Sequence, residues 1–187
     1  MTVRIVELSN AATVALDIVA WALVHVTAGY AAHRLPLRML GRDRGILRLA
    51  PFARRGRFYE RLAIRRWKDR LPEAGAFFAG GVSKRHVPAT DAAGLARFAA
   101  ETRRAELAHW WAVAALPLFA LFNPPYAMPL MVVYAFAANA PCIAVQRYNR
   151  GRLARLALLL DRRGQGARGE AAARCRSSGR TIGSSIP

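Results

Sequence analysis

Two short polar clusters bring together side chains in this sequence that suit proton transfer. One is Glu101-Thr102-Arg103-Arg104-Ala105-Glu106-Leu107-Ala108-His109-Trp110-Trp111, and the other is Gln146-Arg147-Tyr148-Asn149-Arg150. In the first, Thr102, Glu106 and His109 stand at i, i+4 and i+7, one face of a helix. A carboxylate three residues before a histidine can accept its Nδ1–H and orient the ring, which places Nε2 to act as a base. At the edge of a bilayer, where water is partly excluded, such a pair interacts more strongly than on an open surface. The same residues also fit a structural ion pair. Glu106 would then bridge Arg103 or Arg147, and His109 and the two tryptophans would anchor the helix at headgroup depth.

Other candidates are weaker. Asp17 and His25 fall inside an apolar run, where ionisable groups are costly and face a cavity or a partner; Asn139 and Tyr134 are possible partners. His86-Val-Pro-Ala-Thr-Asp91 has the His-x4-Asp spacing of glycerolipid acyltransferases, but it lacks the preceding Asn and contains Pro88. No phosphate-binding loop, dinucleotide fingerprint, His-Glu-x-x-His or nucleophile elbow occurs. The two cysteines, Cys142 and Cys175, build neither a disulfide framework nor a zinc cluster, and no metal site is expected.

The elements that must carry these clusters follow from where charge is absent. The chain has 187 residues and a formal net charge of +18, yet its mean hydropathy is positive at +0.12. Greasy and basic together point to a membrane protein with its charge in the loops. Residues 11–32 carry one charge, Asp17, and residues 107–146 carry none. Residues 33–105 contain 18 Lys and Arg against 6 Asp and Glu, and residues 147–187 contain 10 Arg against 2 acids.

A membrane-spanning helix takes roughly 20 apolar residues. Residues 11–32 supply one. The uncharged stretch supplies a helical hairpin, spans of about 106–122 and 128–146, broken at Asn123-Pro124-Pro125 because adjacent prolines cannot continue a helix. Pro117 and Pro141 are expected to kink the two arms. The expected fold is therefore all-α: an integral membrane protein with three spans and interfacial helices, residues 1–163 forming one membrane domain and 164–187 a disordered basic tail. Positive charge on the cytoplasmic side puts the N-terminus outside, with the 33–105 loop and the tail in the cytoplasm. The competing reading of residues 1–32 as a cleaved signal peptide fits poorly, since the apolar run is long and cleavage would leave a strongly basic segment outside.

Within the loop, residues 54–71 mix Phe58, Tyr59, Leu62 and Trp67 with basic side chains, the composition of an element lying on anionic lipid headgroups; a solvated basic helix is the alternative. Thr90 or Asp91 is placed to cap a helix running through Leu95, Phe98 and Ala105 into the hairpin.

Four blocks taken in order resemble one family. They are Arg65-Arg66-Trp67-Lys68-Asp69-Arg70-Leu71-Pro72, then Glu101 to Trp110, then Asn139-x-Pro141, then Gln146-Arg147-Tyr148-Asn149-Arg150-x-Arg152-Leu153. Across about residues 54–164 the chain is similar to the glycosyl-4,4′-diaponeurosporenoate acyltransferases, small membrane proteins of carotenoid glycolipid synthesis. The resemblance implies transfer of a fatty acyl group onto a glucose hydroxyl of a glycosylated carotenoid acid. It implies no cofactor beyond an acyl thioester co-substrate, carried on CoA or a carrier protein. Chemistry applied to the shared blocks makes His109 the base and Glu106 its orienting partner. Arg103, Arg147 and Arg150 suit the donor's phosphates or the oxyanion, and Gln146 and Asn149 suit the sugar. The tail after 164 has no counterpart.

A non-catalytic membrane scaffold or lipid-binding module is the alternative from another class. Nucleic-acid binding through the basic loop is disfavoured, because few aromatics interleave with base-reading polar groups.

Overall fold

The computed structural model describes residues 5–51, 57–68, 71 and 91–180. Among these, every regular element is helical, as expected. The first helix, α1 (Asn10–Arg34), starts where the Ser9 side chain accepts the Ala12 N–H at 3.3 Å. It ends at Leu35, held extended (φ −69°, ψ 132°) by the following Pro36. A strap of two 3₁₀ turns, Leu37–Leu40 and Gly45–Leu47, then crosses the bundle.

Residues 57–68 form two short helices, α2 (Arg57–Arg61) and α3 (Ile64–Trp67), separated by Ala63 at φ 50°. A left-handed non-glycine residue breaks the segment into two turns rather than one interfacial helix. Tyr59 and Ile64 are buried against Val145 and Tyr148, while Phe58 and Leu62 stay exposed. Only part of the aromatic set expected at the headgroups therefore faces outward.

Helix α4 (Ala92–Ala114) is capped by Asp91, whose carboxylate accepts the Gly94 N–H at 3.1 Å. Helix α5 runs from Met128 to Arg180. Pro117 does not merely kink the first arm. It lies at the start of a 3₁₀ helix, Leu116–Leu121, that replaces the α-helix, since proline lacks the donor a further α turn requires. Pro125 opens another 3₁₀ turn, Pro125–Ala127, that leads into α5, and α5 continues through Pro141. Residues 164–180, expected to be disordered, belong to α5; lengthening an existing helix adds a hydrogen bond per residue without a new nucleus.

Helices α4 and α5 fold back on each other as a hairpin. Leu95 and Phe98 of α4 pack on Leu153 of α5, Glu106 meets Arg147 and Arg150, His109 meets Asn139, and Phe119 packs with Met131 and Ala135. Partners descend along α5 as they ascend along α4, so the arms are antiparallel. Trp21 of α1 stacks on Phe119 at 4.3 Å between ring centroids and closes the tip of the bundle.

Among the described residues, two helices are long and apolar enough to cross a membrane, within Asn10–Arg34 and Pro125–Glu170. Their apolar residues mostly face outward: Val14, Ile18, Val19, Leu23 and Val26 on α1, and Leu130, Val133, Tyr134 and Phe136 on α5. The expected third span, 106–122, consists of the last turns of α4 and the 3₁₀ helix after it.

Candidate active site

The antiparallel packing turns one face of α4 onto one face of α5. Thr102 and Glu106 are fully buried there and His109 is half-buried, so the i, i+4, i+7 face read from the sequence is the packed face. Opposite it stand Asn139, Gln146, Asn149 and Arg150, all buried, with Arg147 half-buried at the margin.

Glu106 is the hub. Its Oε1 accepts from Arg147 Nε at 2.7 Å and from Trp110 Nε1 at 3.1 Å, and its Oε2 accepts from Arg150 Nη2. A carboxylate with no solvent exposure survives only with such partners, because the desolvation of an unpaired buried charge is worth several kcal/mol, roughly. Arg147 also lies 5.9 Å from the Trp110 ring centroid.

The strap supplies the remaining acceptors. Arg147 Nη2 donates to the Ile46 carbonyl at 2.7 Å, and Arg150 Nη2 donates to the Leu47 carbonyl at 3.1 Å. Arg103 donates through Nε to Asp43 at 2.5 Å and through Nη1 to the Leu40 carbonyl at 3.0 Å. Arg104 holds Glu101 at 3.1 and 3.2 Å and reaches the Leu35 carbonyl at 2.9 Å. Arg150 Nε is 3.7 Å from Asp43, while its Nη1 and the Gln146 Oε1 are buried with no hydrogen-bond partner among the described residues.

Tyr59 lies against this cluster from below. Burial pushes its phenol above the ordinary value of 10.0, and the neighbouring Arg147 guanidinium partly offsets that rise.

The orienting acceptor for His109 is not Glu106, as the spacing suggested. His109 Nδ1 lies 2.9 Å from Oδ1 of Asn139, which is fully buried. Glu106 turns instead toward α5, because two guanidinium groups there compete for it more strongly than a neutral imidazole. The ion-pair alternative named Arg103 or Arg147 as the bridge; Arg147 makes it, joined by Arg150, while Arg103 goes to Asp43. Asp43 was missed in the sequence, although it is the only acid between Asp17 and Glu60. Asn139 was seen in one of the four shared blocks and as a possible partner for Asp17 or His25, but not as a partner for His109. Those two bond elsewhere: Asp17 accepts from Asn123, and His25 Nδ1 lies 2.8 Å from the Trp21 carbonyl. His86 of the His-x4-Asp spacing lies outside the described residues, and Asp91 is engaged as a helix cap.

Comparison with known proteins adds the chemical context. The family model described as glycosyl-4,4′-diaponeurosporenoate acyltransferase matches residues 43–158, which contain Asp43, α4, α5 as far as residue 158 and the Glu106 cluster. Proteins of that name from Staphylococcus aureus strains bovine RF122 / ET3-1 and MRSA252 are each 30% identical over 148 residues, 78% of this chain and 88% of theirs. No solved structure matches. With a match this long falling on the very segment that builds the site, the chain belongs to the glycosyl-4,4′-diaponeurosporenoate acyltransferase family and is an acyltransferase.

Proposed function

We propose that this acyltransferase esterifies a sugar hydroxyl of a glycosylated carotenoid, of the glycosyl-diaponeurosporenoate kind, with a fatty acyl group taken from a thioester. The observation that carries the reading is the pairing of His109 with Asn139 beside a bank of arginines, within the segment shared with proteins named for that reaction. His109 Nε2 removes the proton of the attacking hydroxyl as its oxygen bonds to the thioester carbonyl carbon. The tetrahedral oxyanion then collapses, the carbon–sulfur bond breaks, and His109 returns its proton to the departing thiolate. Products are the sugar ester and a thiol.

Glu106 has a different part from the one its spacing suggested: it fixes Arg147 and Arg150 rather than the imidazole. The unpartnered Arg150 Nη1 suits the oxyanion, and Gln146 and Asn149 suit the sugar. Arg103 and Arg147 are largely engaged by Asp43, Glu106 and strap carbonyls, which leaves them a supporting role toward a phosphorylated donor.

Both reactants carry long apolar chains that dissolve in a bilayer, and the outward apolar faces of α1 and α5 suit lipid. A three-span arrangement in the cell membrane, N-terminus outside and the basic loop and tail in the cytoplasm on anionic headgroups, puts the cluster at the cytoplasmic rim.

A scaffold reading has one observation in its favour: Glu106 and its arginines form a closed ion-pair network that would serve architecture alone. The test is turnover in nanodiscs with glycosyl-4,4′-diaponeurosporenoate and palmitoyl-CoA, following both the ester and released CoA. His109→Gln should lower kcat about 100-fold or more. Wild-type turnover by a folded His109→Gln protein would remove His109 as the base, and no turnover by the wild type with CoA- or carrier-bound donors would favour the scaffold.

A further inference from the structure

The side chain of Asn139 makes two contacts, and the first decides the second. Its Nδ2 donates to the Ala135 carbonyl, one turn earlier in α5, at 2.8 Å. Turning the amide over would set its oxygen against that carbonyl oxygen, two acceptors with no proton between them. The helix backbone therefore fixes the amide, and Oδ1 has to face His109. An acceptor 2.9 Å from Nδ1 requires a proton on Nδ1. A neutral imidazole has one N–H, so its lone pair is then on Nε2.

We propose that Asn139 is a positioning residue that holds His109 in the Nδ1–H tautomer and directs the Nε2 lone pair to the acceptor hydroxyl. The consequence for catalysis rests on His109 being the base; the tautomer itself does not. An amide suits this position because it supplies an acceptor without adding another charge to an apolar interior. Asn139 has no solvent exposure, and a carboxylate there would need compensation of the kind Glu106 draws from two arginines. The fully buried Ala135 next to it packs in the cluster around Trp21 and Phe119, which keeps this part of α5 pressed against the bundle.

The experiment is nitrogen NMR of the full chain in nanodiscs, labelled with ¹⁵N-histidine. His109→Gln identifies the His109 signals by their loss. Wild-type protein should show the Nδ1–H, Nε2 lone-pair pattern, and Asn139→Leu should change it to the other tautomer or a mixture. With glycosyl-4,4′-diaponeurosporenoate and palmitoyl-CoA, Asn139→Leu should lose about 100-fold in kcat with KM changed less than about threefold. An Nε2–H tautomer in the wild type overturns the proposal, as does a tautomer unchanged in Asn139→Leu. The wild-type spectrum decides the matter even where Asn139→Leu does not fold. If the tautomer responds as stated and His109→Gln remains active, the positioning role stands and the base assignment falls.

Discussion

Asn123 Nδ2 donates to Asp17 Oδ1 at 2.7 Å, tying the middle of α1 to the hairpin tip across 106 positions of sequence. Both side chains are buried, and Trp21, one turn after Asp17, stacks on Phe119, one turn before Asn123. The acid inside the first apolar helix is therefore a clasp. Asp17→Ala leaves the Asn123 amide buried with an unmet donor, a cost of about 1–3 kcal/mol. For a chain of this size that is a fall of about 2–10 °C in midpoint, readable in the fluorescence of Trp21 on thermal unfolding in detergent. Asp17→Asn, which can still offer an oxygen to Asn123, should lose less.

The hairpin was legible because charge is so unevenly spread: an uncharged run with two adjacent prolines near its middle has few other ways to fold. The Asp91 cap was legible for a local reason, a short oxygen side chain just ahead of a helical stretch. Asn139 as the partner of His109 was not. Which residue of α5 meets His109 depends on the rotation and sliding of two helices whose contacts lie 30 or more positions apart. The strap was hidden for a related reason, since it caps Arg103, Arg104, Arg147 and Arg150 with backbone carbonyls, which leave no mark on residue type. The α-helical arm stops early because Pro117 acts at once, whereas the glycines of the tail only weaken a helix already under way.

Glu106 separates architecture from chemistry. Glu106→Leu strands the Arg147 and Arg150 guanidinium groups and should cost about 3–5 kcal/mol. The triple variant Glu106→Leu, Arg147→Met, Arg150→Met removes all three charges and should recover most of that stability, since apolar groups of similar volume commonly replace a buried ion network without loss. Thermal unfolding measures the first effect. It measures the recovery as well, whereas ester formation should stay low in the triple variant because Arg150 Nη1 is gone.

Tyr59 gives a pH dependence with a definite sign. Its phenol is raised by burial, so the folded state holds its proton at a pH where the unfolded chain has lost it. The stability this contributes is complete below pH 10, the unfolded value, and is lost as pH rises through the higher folded one. Tyr59→Phe has no proton to lose and should flatten the alkaline fall in unfolding midpoint. In an absorbance titration, the wild type should show one late-titrating tyrosine more than the variant.

The proposed arrangement in the membrane is open to direct labelling. Tyr126 is exposed at the hairpin tip, and Arg152 is exposed on α5 beside the arginine cluster. They are 26 residues apart, about 39 Å along a helix, close to the ~40–45 Å of a bilayer with its headgroups. In a background where Cys142 and Cys175 are replaced, Tyr126→Cys should react with an impermeant maleimide from outside intact cells. Arg152→Cys and Arg48→Cys should react only after the cells are opened. Arg48 is the informative third position: it is exposed on the strap whose carbonyls cap the cluster, so it has to share a side with Arg152. Labelling of Arg48→Cys and Arg152→Cys from opposite faces would place the strap away from α5 and dissolve the cytoplasmic rim on which the proposed reaction depends.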